Sequence, residues 1–79
     1  MYWEKKNKKL FREFKFRNFV EALDFVNKVG ELAEEMNHHP DIVLKWGYVS
    51  IELITHDENA ITEKDHELAK KIDTLIEAS

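Results

Sequence analysis

"LFREFKFRNFVEALDFV", residues 10–26, changes its hydrophobic period midway. Leu10, Phe14 and Phe16 share one parity while Glu13 and Lys15 take the other, and Arg12 lends its aliphatic stem to the apolar side, which is the alternation of a strand with one buried face. From Phe19 onward the spacing becomes threes and fours. Phe19, Ala22, Leu23, Val26, Val29, Gly30, Ala33 and Met36 form one long stripe, predicting a helix that buries that face until Pro40 ends it. Asn18 stands between the two regimes, and Glu21 three residues later completes a capping-box signature for the helix start.

The flanking sequence extends this unit. "YWEKKNKK", residues 2–9, supplies a short first strand and a turn near Asn7, hence a hairpin. "DIVLKW" (41–46) and "YVSIELIT" (48–55) are two β-rich runs broken at Gly47, where glycine's tolerance of positive φ suits a tight turn. Thr62 followed by Asp65 is a second capping box, and Leu68, Ala69, Ile72, Leu75 and Ile76 give the helix it opens a buried stripe. The order is ββαββα. It predicts an α+β fold, a four-stranded antiparallel sheet with helices packed on one face. Residues 1–79 read as a single domain with no linker, low-complexity segment or sequence repeat.

Composition narrows the functional classes. A chain that is 43% hydrophobic and 35% charged is that of a soluble folded protein, and no apolar run approaches the roughly 18 residues of a membrane span. No membrane partner is expected. The N-terminus lacks the apolar stretch of a signal peptide, and the absence of cysteine removes disulfide and thiol chemistry, so a cytoplasmic location is expected. Residues 1–17 carry seven basic and two acidic side chains, whereas the remainder carries a net charge of −9. A basic end suits nucleic acid, yet here Phe11, Phe14 and Phe16 interrupt it at strand spacing and the acidic remainder would repel phosphate, so no nucleic-acid partner is expected. At 79 residues the domain can bury only a limited core, and partner subunits would help it.

The candidate chemistry lies in "NHHPDIV", residues 37–43, and "LITHDENAITEKD", residues 53–65. Adjacent side chains diverge on a helix or a strand, so His38 and His39 can address one target only from irregular backbone. His56 follows the fourth strand, and three imidazoles at element ends can converge on one cleft. Imidazole exchanges protons near neutrality at little cost, which suits acid–base chemistry. Structural roles are available for each residue as well. His39 can meet the last helix carbonyls, His38 and His56 can be solvated, Asp65 can be only a cap, Trp46 an apolar cover and Glu34 part of a solvated helix face. Metal binding is the rival use of three histidines, but adjacent ligands and the lack of H-x-x-x-H or cysteine spacing give it no support, and no metal ligand is assigned.

Taken together, Glu34, three residues, His38-His39-Pro40, five residues, Trp46, nine residues, His56, eight residues and Asp65 resemble the signature of the pterin-4a-carbinolamine dehydratases. The resemblance extends over nearly the whole chain, from Trp3 through "LFREFKFRNFVEALDFVNKVGELAE" (10–34) to "ITEKDHELAKKID" (61–73). Two departures stand out. Members of the family often carry a helical segment before the tryptophan that Trp3 resembles, and their glycine-leucine-threonine is Ala60-Ile61-Thr62 here, which predicts a somewhat different loop. The resemblance implies dehydration of a 4a-hydroxytetrahydropterin to quinonoid dihydropterin, with neither metal nor organic cofactor. It implies that His38 and His56 carry the proton transfers, that His39 binds and orients the pterin, and that Asp65 or Glu34 holds an imidazole in its tautomer. Asn37, Thr55 and Asp57 would touch the pterin, and Trp46 would wall the cleft. It further implies a homodimer with a continuous sheet, or a homotetramer through helices. An alternative is a non-catalytic interaction module, such as a dimerisation cofactor of a transcription factor.

Overall fold

The structure is a computed structural model and describes residues 2–77. Its elements are β1 (Glu4–Lys6), β2 (Lys9–Lys15), α1 (Phe19–Met36), β3 (Asp41–Lys45), β4 (Tyr48–Leu53) and α2 (Glu63–Glu77). The strands form one antiparallel sheet in the order β1-β2-β4-β3, and the expected ββαββα order is borne out. Period-two alternation fixes which residues the helices cover. Leu10 pairs with Leu53 and Phe14 with Val49, while Ile51 and Val49 continue across to Ile42 and Leu44, so the apolar rows of three strands line up beneath the helices. Phe25 of α1 lies over this layer, its ring 4.7 Å from that of Phe14 and 5.2 Å from that of Phe16. No helix among the described residues is long and apolar enough to cross a membrane.

The two hairpins are closed by different means. Between Lys6 and Lys9, Asn7 (φ 50°) and Lys8 (φ 66°) are both left-handed, the conformation of a type I′ turn that matches the twist of its strands. Lys45 and Tyr48 close the second hairpin over Trp46-Gly47, but Gly47 does not adopt the positive φ expected of it. What requires glycine is a close approach. A Cβ at position 47 would stand 2.7 Å from the carbonyl oxygen of Phe16, whose own N–H donates to the Gly47 carbonyl at 2.9 Å.

Helix α1 follows the expected stripe at Ala22, Val26, Val29, Ala33 and Met36 but departs from it at Phe25 and in where it ends. Its buried residues are Ala22, Phe25, Val29 and Ala33, whereas Phe19 and Leu23 are 42% and 38% exposed and Gly30 faces open space. Apolar residues cover so much of this helix that spacing alone does not select the buried arc, and the aromatic contacts of Phe25 do. At the start, Asn18 accepts the Glu21 N–H at 2.9 Å, while the Glu21 carboxylate turns to Arg17 rather than closing a reciprocal box. At the end, Asn37 is left-handed (φ 51°, ψ 44°), its N–H bonds the Glu34 carbonyl, and the His38 N–H bonds that of Ala33. This Schellman arrangement stops the helix at Met36, before Pro40 is reached. Arg12 does more than lend its stem: its guanidinium pairs with Asp73 of α2, which also accepts the Trp3 indole N–H at 2.9 Å.

Candidate active site

The left-handed Asn37 turns the chain out of α1 and leaves His38 and His39 outside any regular period. The two imidazoles then part. His38 is 9% exposed and its Nε2 lies 2.6 Å from Oδ1 of Asp65 on α2. His39 is exposed, and its Nε2 lies 2.5 Å from Glu34 Oε2, one turn back on α1. Each of the two carboxylates, Asp65 and Glu34, thus lies against a different histidine.

His56 is placed by a compact loop. Past β4, the Thr55 N–H donates to the Ala60 carbonyl at 3.0 Å and the Ala60 N–H returns a bond at 3.4 Å, closing residues 56–59 between them. Asn59 supplies the left-handed residue of that loop (φ 51°), and Ala60 does not need positive φ. The loop holds His56 and Asp57 exposed above the buried Thr55.

Asp65 lies at the centre and is 0% exposed. Its Oδ2 accepts the Thr62 backbone N–H at 2.8 Å, as a cap requires, and also the Thr55 hydroxyl at 2.9 Å, while Oδ1 takes His38. The Thr62 hydroxyl lies 2.6 Å from that of Thr55 and accepts the Lys64 N–H at 3.3 Å. Negative charge at the first turn of a helix is favoured by the helix dipole, and a carboxylate with two donors on Oδ2 and an imidazole nitrogen against Oδ1 leaves no orphan group. Cap and histidine anchor are one side chain.

Asn37, His38, His39, Thr55, His56, Asp57 and Lys64 line a cleft of about 190 Å³. A second hollow of about 380 Å³ adjoins it and shares Thr55, Asp57 and Lys64. Two hollows elsewhere, about 260 and 240 Å³, contain no pair of imidazoles. Six of the nine residues expected at the site line this cleft, and Asp65 and Glu34 stand behind its histidines. Trp46 does not. It sits at the β3–β4 turn, 69% exposed, a strand length of roughly 16 Å from the cleft at about 3.3 Å per residue, and does not wall the site of its own chain. Thr62 and Lys64 were absent from the sequence-based set. The Thr-x-x-Asp cap could have signalled Thr62, whereas an exposed lysine in a helical first turn carries no signal. No three histidine, aspartate or glutamate side chains among the described residues are grouped as metal ligands. Two imidazoles with carboxylate partners and a third lining the same cleft can move protons to and from one flat ligand.

Comparison with known proteins agrees with this geometry. The sequence pattern of the family described as pterin 4 alpha carbinolamine dehydratase matches residues 1–75. A protein of Rubrobacter xylanophilus, provisionally named a pterin-4-alpha-carbinolamine dehydratase, is 59% identical over 66 residues; these are 84% of this chain but 62% of that protein's length. A protein of Sulfolobus acidocaldarius with the same provisional name is 49% identical over 73 residues, covering 92% of this chain and 80% of the relative. Among solved structures, a transcriptional coactivator/pterin dehydratase from Brucella melitensis superposes with a TM-score of 0.88 at 33% identity, covering 92% of this chain and 80% of that one. A pterin dehydratase-like protein identified as a RuBisCO assembly factor of the alpha-carboxysome superposes at 0.75 with 27% identity, covering 92% and 84%. On the extent of these matches and the fold they share, the chain belongs to the pterin 4 alpha carbinolamine dehydratase family.

Proposed function

We propose that the protein dehydrates a 4a-hydroxytetrahydropterin. The substrate loses the hydroxyl on C4a and the proton on N5, which leave together as water, and a quinonoid dihydropterin remains. The neighbouring nitrogen pushes the C–O bond apart, so the protein has to protonate the departing hydroxyl and accept the N5 proton. His38 and His56 carry those two transfers, each step drawing on the roughly 10²–10⁴-fold that a positioned acid or base supplies. His39, held by Glu34, binds and orients the ring; Asn37, Thr55 and Asp57 are its polar neighbours. Trp46 could reach a cleft only from another copy of the chain. The observation that carries the reading is the convergence of three imidazoles on one cleft, two of them backed by carboxylates, in a member of this family. The reaction belongs to recycling of a tetrahydrobiopterin-type cofactor, in the cytoplasm, consistent with a chain that has no cysteine.

Stopped-flow absorbance of quinonoid dihydropterin formation from freshly generated carbinolamine tests this. Wild type accelerates the step, and His38→Ala or His56→Ala lowers kcat by roughly 10–10⁴-fold with the fold intact. Wild-type rates in the double variant would refute the assignment.

Assembly follows from the sheet. β1 and β3 are edge strands whose outer backbone groups have no ladder partner among the described residues, and a domain this small gains from burying surface between copies. A homodimer or homotetramer is therefore part of the proposal, tested by light scattering over a dilution series. A second reading, an interaction module, is favoured by exposed Phe19, Val20 and Leu23 on one stretch of α1 and by the coactivator among its structural neighbours. Partner binding that survives loss of all three histidines would mark it.

A further inference from the structure

We infer that Thr62 and Thr55 form a one-way hydroxyl relay onto Asp65, the carboxylate that fixes the tautomer of His38, so that Thr55 is a positioning residue rather than a substrate contact. The inference rests on the dehydratase reading for its catalytic meaning, but its geometry stands alone. Each threonine hydroxyl has one proton to give and can accept others. Thr55 Oγ1 donates to Asp65 Oδ2 at 2.9 Å, so its proton is committed there. The 2.6 Å contact between the two hydroxyls must then run from Thr62 to Thr55. Thr62 in turn accepts the backbone N–H of Lys64 at 3.3 Å. Every bond points the same way, from the first turn of α2 toward Asp65.

Asp65 is thereby surrounded by donors. Oδ2 already receives the Thr55 hydroxyl and the Thr62 N–H, and an ionised carboxylate is an acceptor only. The remaining partner, His38 Nε2 at 2.6 Å from Oδ1, must supply its own proton. A neutral imidazole with Nε2–H has its lone pair on Nδ1. Nδ1 has no hydrogen-bond partner among the described residues, and no buried side-chain nitrogen or oxygen there lacks one, so Nδ1 is open to the cleft that His38 lines. His38 is therefore the base that takes the N5 proton, and the acid for the departing hydroxyl falls to His56, which pairs with no carboxylate among the described residues.

The relay also separates two meanings of Thr55. A substrate contact removed by Thr55→Val would raise KM. A positioning hydroxyl removed by the same change leaves KM near wild type and lowers kcat by about tenfold or more, since a hydrogen bond to a charged group contributes roughly 1.5–3 kcal/mol. Thr55→Ser restores the donor and should recover kcat.

The deciding experiment is a long-range ¹⁵N–¹H correlation spectrum of the imidazoles in wild type, Thr55→Val and Thr55→Ser, at a pH above the ordinary imidazole range, together with kcat and KM. The expected result is a protonated Nε2 and bare Nδ1 at His38 in wild type and both folded variants, because Asp65 remains an acceptor, with kcat lowered at near-constant KM in Thr55→Val and recovered in Thr55→Ser. A His38 that carries its proton on Nδ1 in wild type overturns the relay even if neither variant folds. Wild-type kcat in folded Thr55→Val, or a raised KM at constant kcat, overturns it too. Should wild type show no dehydratase activity, the reaction falls, while the spectra still decide the relay.

Discussion

Replacing Asp65 by asparagine keeps the side chain's shape and exchanges one acceptor for a donor. The carboxylate faces three donors: His38 Nε2 at 2.6 Å, the Thr55 hydroxyl at 2.9 Å and the Thr62 N–H at 2.8 Å. If the amide NH₂ takes the place of Oδ2, it opposes the Thr62 N–H, which cannot turn away, in a site that is 0% exposed. If it takes the place of Oδ1, it opposes His38 Nε2 and drives the imidazole proton to Nδ1. The first arrangement leaves a buried donor unsatisfied at roughly 1–3 kcal/mol, and either one loses charge-assisted bonds of about 1.5–3 kcal/mol. Relief of the buried charge returns part of this. A net loss of roughly 2–3 kcal/mol is expected, and at about 4–8 °C per kcal/mol for a domain of this size the melting temperature should fall by roughly 10–20 °C. Circular dichroism melts at one protein concentration measure it, since any subunit association would make Tm concentration-dependent. In the same variant kcat should drop by about 10² or more, because a proton on Nδ1 disables the base. A variant that melts within a few degrees of wild type and turns over normally would refute both the cap and the histidine anchor.

Four further outcomes follow from other parts of the structure. Lys8→Gly should stabilise by roughly 0.5–1 kcal/mol in urea unfolding, since it relieves a left-handed lysine at φ 66° and the gain is offset in part by glycine's unfolded-state entropy. Gly47→Ala should destabilise by about 1–3 kcal/mol in the same assay, because its Cβ meets the Phe16 carbonyl at 2.7 Å and a backbone must move. Hydrogen bonds from Arg17 hold the Glu21 carboxyl below the usual range, so any stability it lends is full above the unfolded carboxylate's pKa and is lost as pH falls through the lower folded value. An NMR titration should show the Glu21 carboxyl moving up in Arg17→Ala. Glu34→Gln should leave stability within about 0.5 kcal/mol, its pair with His39 being exposed and screened, while raising KM for the pterin.

Much of the fold was legible because local signals agreed with one another. Strand alternation in residues 10–16, two cap signatures and two short hairpins leave few topologies, and the observed order is the one they imply. What failed were features set by neighbours distant in sequence. The phase of α1 depends on Phe25 meeting Phe14 and Phe16, and the need for glycine at 47 comes from the backbone of residue 16, neither of which a spacing reveals. The end of α1 was misread for a different reason: Pro40 is the louder breaker, yet Asn37 adopts the left-handed conformation three residues earlier. At the candidate site, the three histidines stood out as residue types at element ends, and Asp65 joined them only through the resemblance to the family signature. Which carboxylate serves which imidazole, and that Trp46 stands at the far end of the sheet, required coordinates.

The two histidine–carboxylate pairs differ in a way that bears on how the site can change. Functional residues commonly cost stability, so that replacing them leaves a firmer fold with less activity. Glu34 and His39 fit loosely within that pattern, since their side chains are 78% and 56% exposed and little of the fold depends on them. Asp65 does not. It closes the first turn of α2, receives two hydroxyl- and amide-borne protons and anchors His38 with the same two oxygens, so folding and the proposed proton transfer draw on one geometry. A substitution that kept the cap but withdrew the acceptor from His38 would need an acceptor for Thr62 and none for His38; asparagine with its NH₂ toward Nε2 meets that demand only by giving up the charge-assisted bonds. The exposed pair is thus free to vary with the substrate it meets, while the buried pair is held in place by the stability of the helix it starts.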